Sequence, residues 1–181
     1  MQQVSDEELL KLLFHGDNPD YAFNLIVRKY QEPLYWHIRR LVITHDDAND
    51  VLQDVFLKAW QAISGFRGDA QLYTWLYRIA TNEALSFLKK KKQRFFLPLR
   101  DVDKKLEESL ESDVYYQGKE LEKKIQKAIL SLPEKQRAVF NLRYYDEMKY
   151  EEMAGVLGTS VGALKASYHH AVKKIEKYIG S

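Results

Sequence analysis

The sequence contains no cysteine, which excludes disulfide cross-links and thiolate-bound metal. It is poor in the residues that interrupt helices, with 8 glycines and 4 prolines among 181 residues, and strand-like alternation is hard to find. No apolar run approaches the roughly 20 residues needed to cross a bilayer, and the polar N-terminus lacks the core of a signal peptide. The cytoplasm is the expected location. Charge is nearly balanced at a formal +2, so the total makes no case for nucleic acid. No Ser/His/Asp set, phosphate-cradling glycine loop or metal-spaced cluster is present, so no enzyme is expected. The five histidines are scattered except His169 and His170, which as helix neighbours point apart. Neither a metal nor another cofactor is expected.

What the chain does have is helical periodicity, a hydrophobic fraction of 45% and an uneven charge distribution. Residues 1–88 carry net −4, residues 89–94 hold five basic residues and no acid, and residues 125–181 carry net +3. The basic run and the C-terminal part are therefore the expected phosphate contacts, and the acidic half is suited to a basic protein partner. Each of these charges equally suits a solvated helix face.

Ser5-Asp6-Glu7-Glu8 reads as a capping box opening a short helix that closes near Gly16. Pro19 suits the first turn of a longer helix through Phe23, Ile26, Tyr30, Leu34, Ile38 and Leu41, with a kink or break expected at Pro33. A third helix starts near Asp46 and runs to Ile63, and a fourth runs from about Thr74 into Lys89–Lys92. Residues 95–118 have alternating charge, few large apolar side chains and no sustained period. They read as a flexible linker with room for partial helix, because so long a connection is unusual inside one domain. The fold expected is all-α: two small helical domains, 1–94 and 119–181, joined by the linker 95–118.

The C-terminal domain carries a helix-turn-helix pattern. Ala154 is small where two helices would cross, and Gly158 supplies a left-handed turn that a Cβ would penalise. Thr159 or Ser160 can cap the next helix, and Leu164 is placed to pack on Met153, Val156 and Leu157. Facing outward are Ser160, Val161, Ala163, Lys165, Ala166 and His169, with Lys173 beyond, the positions that meet base edges and phosphates when such a helix enters a major groove. A plain helical hairpin shares the Ala/Gly pattern; the cap and the lysines favour DNA.

Two N-terminal segments are unusual. Residues 46–60 form an amphipathic helix with Asp47, Asp50, Gln53 and Asp54 near one seam, and residues 66–82 interleave aromatics with Arg67, Arg78 and Asn82. Aromatic faces beside cations provide what unstacked bases require. Trp60, Trp75 and Leu76 are read as core.

The segments DVLQDVFLKAW (50–60), TWLYRIATNEAL (74–85), LPEKQRAVFNLRY (132–144) and YEEMAGVLGTSVGALKASYHHAVKKI (150–175), in that order, resemble the extracytoplasmic-function (ECF) class of bacterial RNA polymerase sigma factors. The resemblance spans nearly the whole chain except the linker. It implies that the N-terminal domain, sigma region 2, binds the β′ coiled coil of core RNA polymerase and reads the −10 promoter element as melted strand. It implies that the C-terminal domain, region 4, contacts the β flap and reads the −35 element as duplex. On this chain the polymerase contacts fall on Asp50, Gln53, Asp54, Phe56 and Leu57. The −10 contacts fall on Phe66, Arg67, Gln71 and Tyr73, with Arg78 and Asn82 behind them, Asn82 at the position that helps to hold a flipped-out base. The −35 contacts fall on Ser160, Val161, Ala163, Lys165, Ala166, His169 and Lys173. The family often has Arg where this chain has Ser167, His170 and Val172, so its recognition helix is less basic. Members are commonly held by an anti-sigma factor, often membrane-linked. Two other readings are compatible with the residues: a two-domain regulator that binds DNA without polymerase, and a module that binds only protein.

Overall fold

The computed structural model describes residues 4–94 and 99–180. Within them the chain forms nine α-helices: α1 (Asp6–His15), α2 (Pro19–Val42), α3 (His45–Ala62), α4 (Leu72–Arg94), α5 (Leu99–Glu111), α6 (Glu120–Leu130), α7 (Glu134–Tyr144), α8 (Tyr150–Leu157) and α9 (Val161–Gly180). Short 3₁₀ turns lie at 63–65 and 114–116, and no strand occurs among the described residues. The helix starts follow local chemistry. The Ser5 hydroxyl accepts from the Glu8 N–H while the Glu8 carboxylate accepts from the Ser5 N–H, which closes the capping box. Asn18 and Thr44 accept from backbone N–H groups at the starts of α2 and α3.

Helices α1–α4 pack around Leu9, Ile26, Leu34, Ile38, Val51, Val55, Leu76 and Ala80, all nearly inaccessible to solvent. The break expected at Pro33 does not occur, and α2 is continuous from Pro19 to Val42. Pro33 sits on the exposed side, whereas Ile26 and Tyr30 before it and Leu34, Ile38 and Leu41 after it bury one continuous stripe. A proline inside a helix costs about 3 kcal/mol, and several buried side chains on each flank, worth about 1.5–3 kcal/mol apiece, offset it.

The linker takes the part-helical form. Residues 95–98, at its start, lie outside the described residues; then α5 buries Leu106 and Leu110, and Asp113 caps the 3₁₀ turn at 114–116 by accepting from the Tyr115 N–H. Helices α6–α9 form the C-terminal domain around Ala128, Ile129, Phe140, Ala171 and Ile175. Arg137, 1% exposed, donates to the carbonyls of Leu130 and Leu132 and so fixes the α6–α7 turn.

The two domains are not separated in space. One apolar cluster runs without interruption from Leu9 through Leu88, Leu106 and Leu110 to Leu142, Met153, Val156 and Leu164. Helix α8 lies directly on α4, close enough that a methyl group at Gly155 would stand 3.5 Å from Thr74 Cγ2, in ordinary van der Waals contact.

Candidate nucleic-acid interface

The helix-turn-helix has the expected local geometry. Gly158 ends α8 in the left-handed conformation at φ +63°, and its N–H donates to the Ala154 carbonyl. Ser160, not Thr159, caps α9, its hydroxyl accepting from the Ala163 N–H at 3.2 Å. Leu164, 1% exposed, anchors α9 beside Met153 and Val156. Ser160, Ala163, Lys165, Ala166, His169 and Lys173 are exposed and Val161 is half-buried, so these candidate −35 positions share an accessible face. Lys165 lies 5.8 Å from the centre of the Tyr150 ring, and Arg143 covers the same ring at 5.1 Å. Beside them runs an aromatic ladder that the pattern reading missed: Phe140 stacks between Tyr144 and Tyr168 with ring centres 5.1 and 5.8 Å away.

On α3 the buried stripe is Ala48, Val51, Val55 and Ala59, at steps of three, four and four residues. That stripe turns Asp50, Gln53, Asp54 and Leu57 into solvent and leaves Phe56 half-buried. Neither Asp50 nor Asp54 has an ion pair among the described residues. The reading of Trp60 as core is corrected here. Trp60 is 40% exposed, about 100° around the helix from buried Ala59, and Leu57 is 54% exposed, about 200° from buried Val55. One face of Trp60 rests on Phe23, ring centres 4.9 Å apart, and the other completes an acidic and aromatic surface. Trp75 is half-buried against Phe66 at 5.3 Å, while Leu76 is fully buried.

The turn 66–71 swings through Gly68 at φ +77° and presents Arg67 and Gln71 to solvent. Arg78 and Asn82 lie exposed on α4. The basic run is partly neutralised: Lys91 pairs with Asp47 at 2.6 Å and Lys92 with Glu134 of the other domain at 2.5 Å, while Lys89 and Lys90 point to solvent. The side chain of Arg94 lies outside the described residues.

Sequence spacing gave no sign that the −10 and −35 candidates would face one another. Asn82 and Leu85 on α4 line a cleft of about 480 Å³ whose opposite wall is Gly158, Thr159, Ala163 and Ser167. Tyr73 hydrogen-bonds to Glu152 on α8, and burial followed by that bond pushes its phenol up to about 12. His37 on α2, completely buried, reaches Asp146 in the α7–α8 turn with Nδ1–Oδ2 at 2.8 Å. Arg39 pairs with Asp113 of the linker, both side chains about nine-tenths buried. The chain is therefore closed, with Asn82 of the −10 candidates and Ala163 of the −35 candidates in one cleft and the other −35 candidates outside it.

Residues 26–94 match the family Sigma-70 region 2, and residues 122–175 match Sigma-70, region 4. The ECF RNA polymerase sigma-E factor of Escherichia coli strain K12 is 34% identical, the alignment covering 98% of this chain and 96% of that protein. The RNA polymerase sigma-H factor of Pseudomonas aeruginosa is also 34% identical, with 98% and 95% covered. Among solved structures, CnrH in complex with the cytosolic domain of CnrY shares the fold at a TM-score of 0.71, with 24% identity and 97% of each chain covered. RpoE of Bartonella quintana, solved with the anti-sigma factor NepR, does so at 0.67, with 20% identity over 87% of this chain and 96% of that one. The matches to both sigma regions, in order along one chain, and the full-length similarity to sigma-E establish that the chain belongs to the ECF class of RNA polymerase sigma factors.

Proposed function

We propose that this sigma factor docks on core RNA polymerase through Asp50, Gln53, Asp54, Phe56 and Leu57, extended by Trp60. It reads the −10 element as melted strand with Phe66, Arg67, Gln71, Tyr73, Arg78 and Asn82. It reads the −35 element as duplex with Ser160, Val161, Ala163, Lys165, Ala166, His169 and Lys173. The working units are 1–94, the linker 95–118 and 119–181. The observation that carries this reading is the exposure, on one chain, of the unpaired acidic seam of α3 and of the outward face of α9. Carboxylates beside Leu57 and Trp60 suit a basic partner with an apolar centre. Extruding a base costs a few kcal/mol, which Phe66 and Tyr73 can repay by stacking and Asn82 by hydrogen bonds to the base edge.

In this reading the closed chain is the resting form. Core polymerase, by holding regions 2 and 4 on separate surfaces, supplies the free energy to open it, and two tethered readers then raise each other's effective concentration on promoter DNA. The factor itself performs no catalysis and requires no cofactor. It acts in the cytoplasm; no helix among the described residues is long and apolar enough to cross a membrane. An anti-sigma factor, of the kind bound to RpoE in its solved complex, would hold the closed form.

Transcription by core polymerase plus this chain, run on a random promoter library, tests the proposal. Promoter-selective transcripts with two enriched elements are expected, and no stimulation of an active polymerase would defeat it. At residue level, Asp54→Ala should weaken polymerase binding, whereas Lys165→Ala should spare it and weaken −35-dependent binding. The reverse pattern would overturn the assignment of the two faces.

A further inference from the structure

The four consecutive lysines near the end of α4 are sent in different directions by the helix. At about 100° per residue Lys91 points opposite to Asn82, and it is tied to Asp47 of α3 at 2.6 Å. Lys92 projects sideways and pairs with Glu134 of α7 at 2.5 Å. Lys89 falls within about 20° of Asn82, and Lys90 lies about 80° from it on the side away from Lys92. Lys89 and Lys90 are exposed, and neither has an ion pair among the described residues.

Lys89 therefore continues a face already occupied by −10 candidates. Arg78, Asn82, Ser86, Lys89 and Gln93 recur at steps of four, four, three and four residues, all of them exposed and all within about 40° of Asn82 around α4. From Arg78 to Gln93 the helix carries five cations and one acid, Glu83, whose carboxylate is turned to Lys58 of α3 at 2.6 Å. The acids that do touch the lysine run, Asp47 and Glu134, are held by Lys91 and Lys92. The charge along the line of Asn82 is thus open to an anion from outside. Lysines that only solubilised a helix end or complemented its dipole would need no such register with Asn82.

We propose that Lys89 and Lys90 grip phosphates of the duplex immediately upstream of the −10 element and so position the point where the melted strand begins. This rests on the promoter reading given above. Beyond its C-terminal end α4 leads through the linker to the domain that reads the −35 element, which lies upstream of −10. That end of α4 therefore faces the unmelted spacer. Seven residues separate Lys89 from Asn82, about 10 Å of helix, or about three base pairs at 3.4 Å each. A base extruded at Asn82 and a backbone held about three pairs away confine the strand transition to the interval between them. The lysines meet phosphate oxygens as point charges and carry no base preference, which is left to Asn82.

Core polymerase saturated with the full chain, binding a promoter recovered from the random library, tests this. The probe is a fork, duplex upstream and single-stranded through the −10 element. Lys89→Gln combined with Lys90→Gln should weaken binding to the fork by roughly 10- to 60-fold at about 0.1 M salt. It should also make the slope of log affinity against log salt shallower by about 1.8, the value for two duplex phosphates. The order of preference among −10 sequences should stay the same, because no base contact is lost. On the same −10 strand without upstream duplex, wild type and double variant should bind within about threefold of each other. Wild-type slope and affinity on the fork, an equal loss on the strand without duplex, or a changed order of −10 preference would each overturn the proposal. Wild-type holoenzyme that binds the recovered promoter no better than a scrambled one would instead defeat the promoter reading, and the grip with it.

Discussion

Asp113→Ala probes how the linker holds the closed chain. The carboxylate performs two tasks: it accepts from the Tyr115 N–H and it pairs with Arg39 Nη2. Arg39 and Asp113 have side-chain exposures of 9% and 10%, and Arg39 Nη1 is buried without a partner. Removing the carboxylate leaves a guanidinium buried with no counter-charge, a change that costs about 3–5 kcal/mol when the site stays shut. Losing the cap adds about 1 kcal/mol. The chain can escape this cost by lifting the segment after α5, where Val114 is already 75% and Tyr115 43% exposed. That segment buries little, so most of the loss should appear as local opening, on the order of 3 kcal/mol or about 100-fold. Hydrogen exchange reads it at the amides of Tyr116, Gln117 and Lys119, which bond back to the carbonyls of Asp113, Val114 and Tyr116. Asp113→Asn can keep the cap through its one oxygen but sets an amide NH2 where Oδ2 met Arg39, so it should spare only the capping part of the loss. Exchange at those amides within threefold of wild type in Asp113→Ala would refute the argument that this pair anchors the linker.

Leu164→Ala should destabilise the C-terminal domain by about 2–5 kcal/mol in chemical denaturation, since Leu164 is 1% exposed between α8 and α9. An unchanged midpoint would mean that α9 is not anchored there. Pro33→Ala restores an N–H to a continuous helix at an exposed position and should raise thermal stability, by about 1–2 kcal/mol once the greater freedom of the unfolded chain is deducted. Destabilisation would show that the proline ring is packed as well as tolerated. Tyr73, raised from an ordinary value near 10 to about 12, should contribute to the closed state fully below pH 10 and lose that contribution as pH rises through 12. Absorbance at tyrosinate wavelengths should accordingly lose one late-titrating phenol in Tyr73→Phe, and a wild-type curve in that variant would refute the assignment.

Much of this protein can be read from the sequence because its signals are local. Ser5 and Glu8 and Gly158 determine helix ends through bonds within a few residues, so spacing sufficed to place them, whereas the caps Asn18 and Thr44, and the choice of Ser160 over Thr159, came from the structure. The outward faces of α3 and α9 follow from which residues recur at three and four steps. The continuity of α2 through Pro33 was not legible, because burial of both flanks outweighs a local penalty. Nor was the exposure of Trp60, whose bulk argues for the core while its position on α3 turns it outward.

The closure of the two domains lies wholly beyond sequence spacing. His37 and Asp146 are 109 residues apart, and Arg39 and Asp113 are 74 apart, so no periodicity links them. The sequence by itself determined the helices, their order and the outward faces of α3 and α9, since each rests on short-range bonds and amphipathic pattern. Only the tertiary structure decided that the C-terminal helices begin folded against the N-terminal ones, with α8 on α4, because that depends on apolar surface and buried charge meeting across distant parts of the chain.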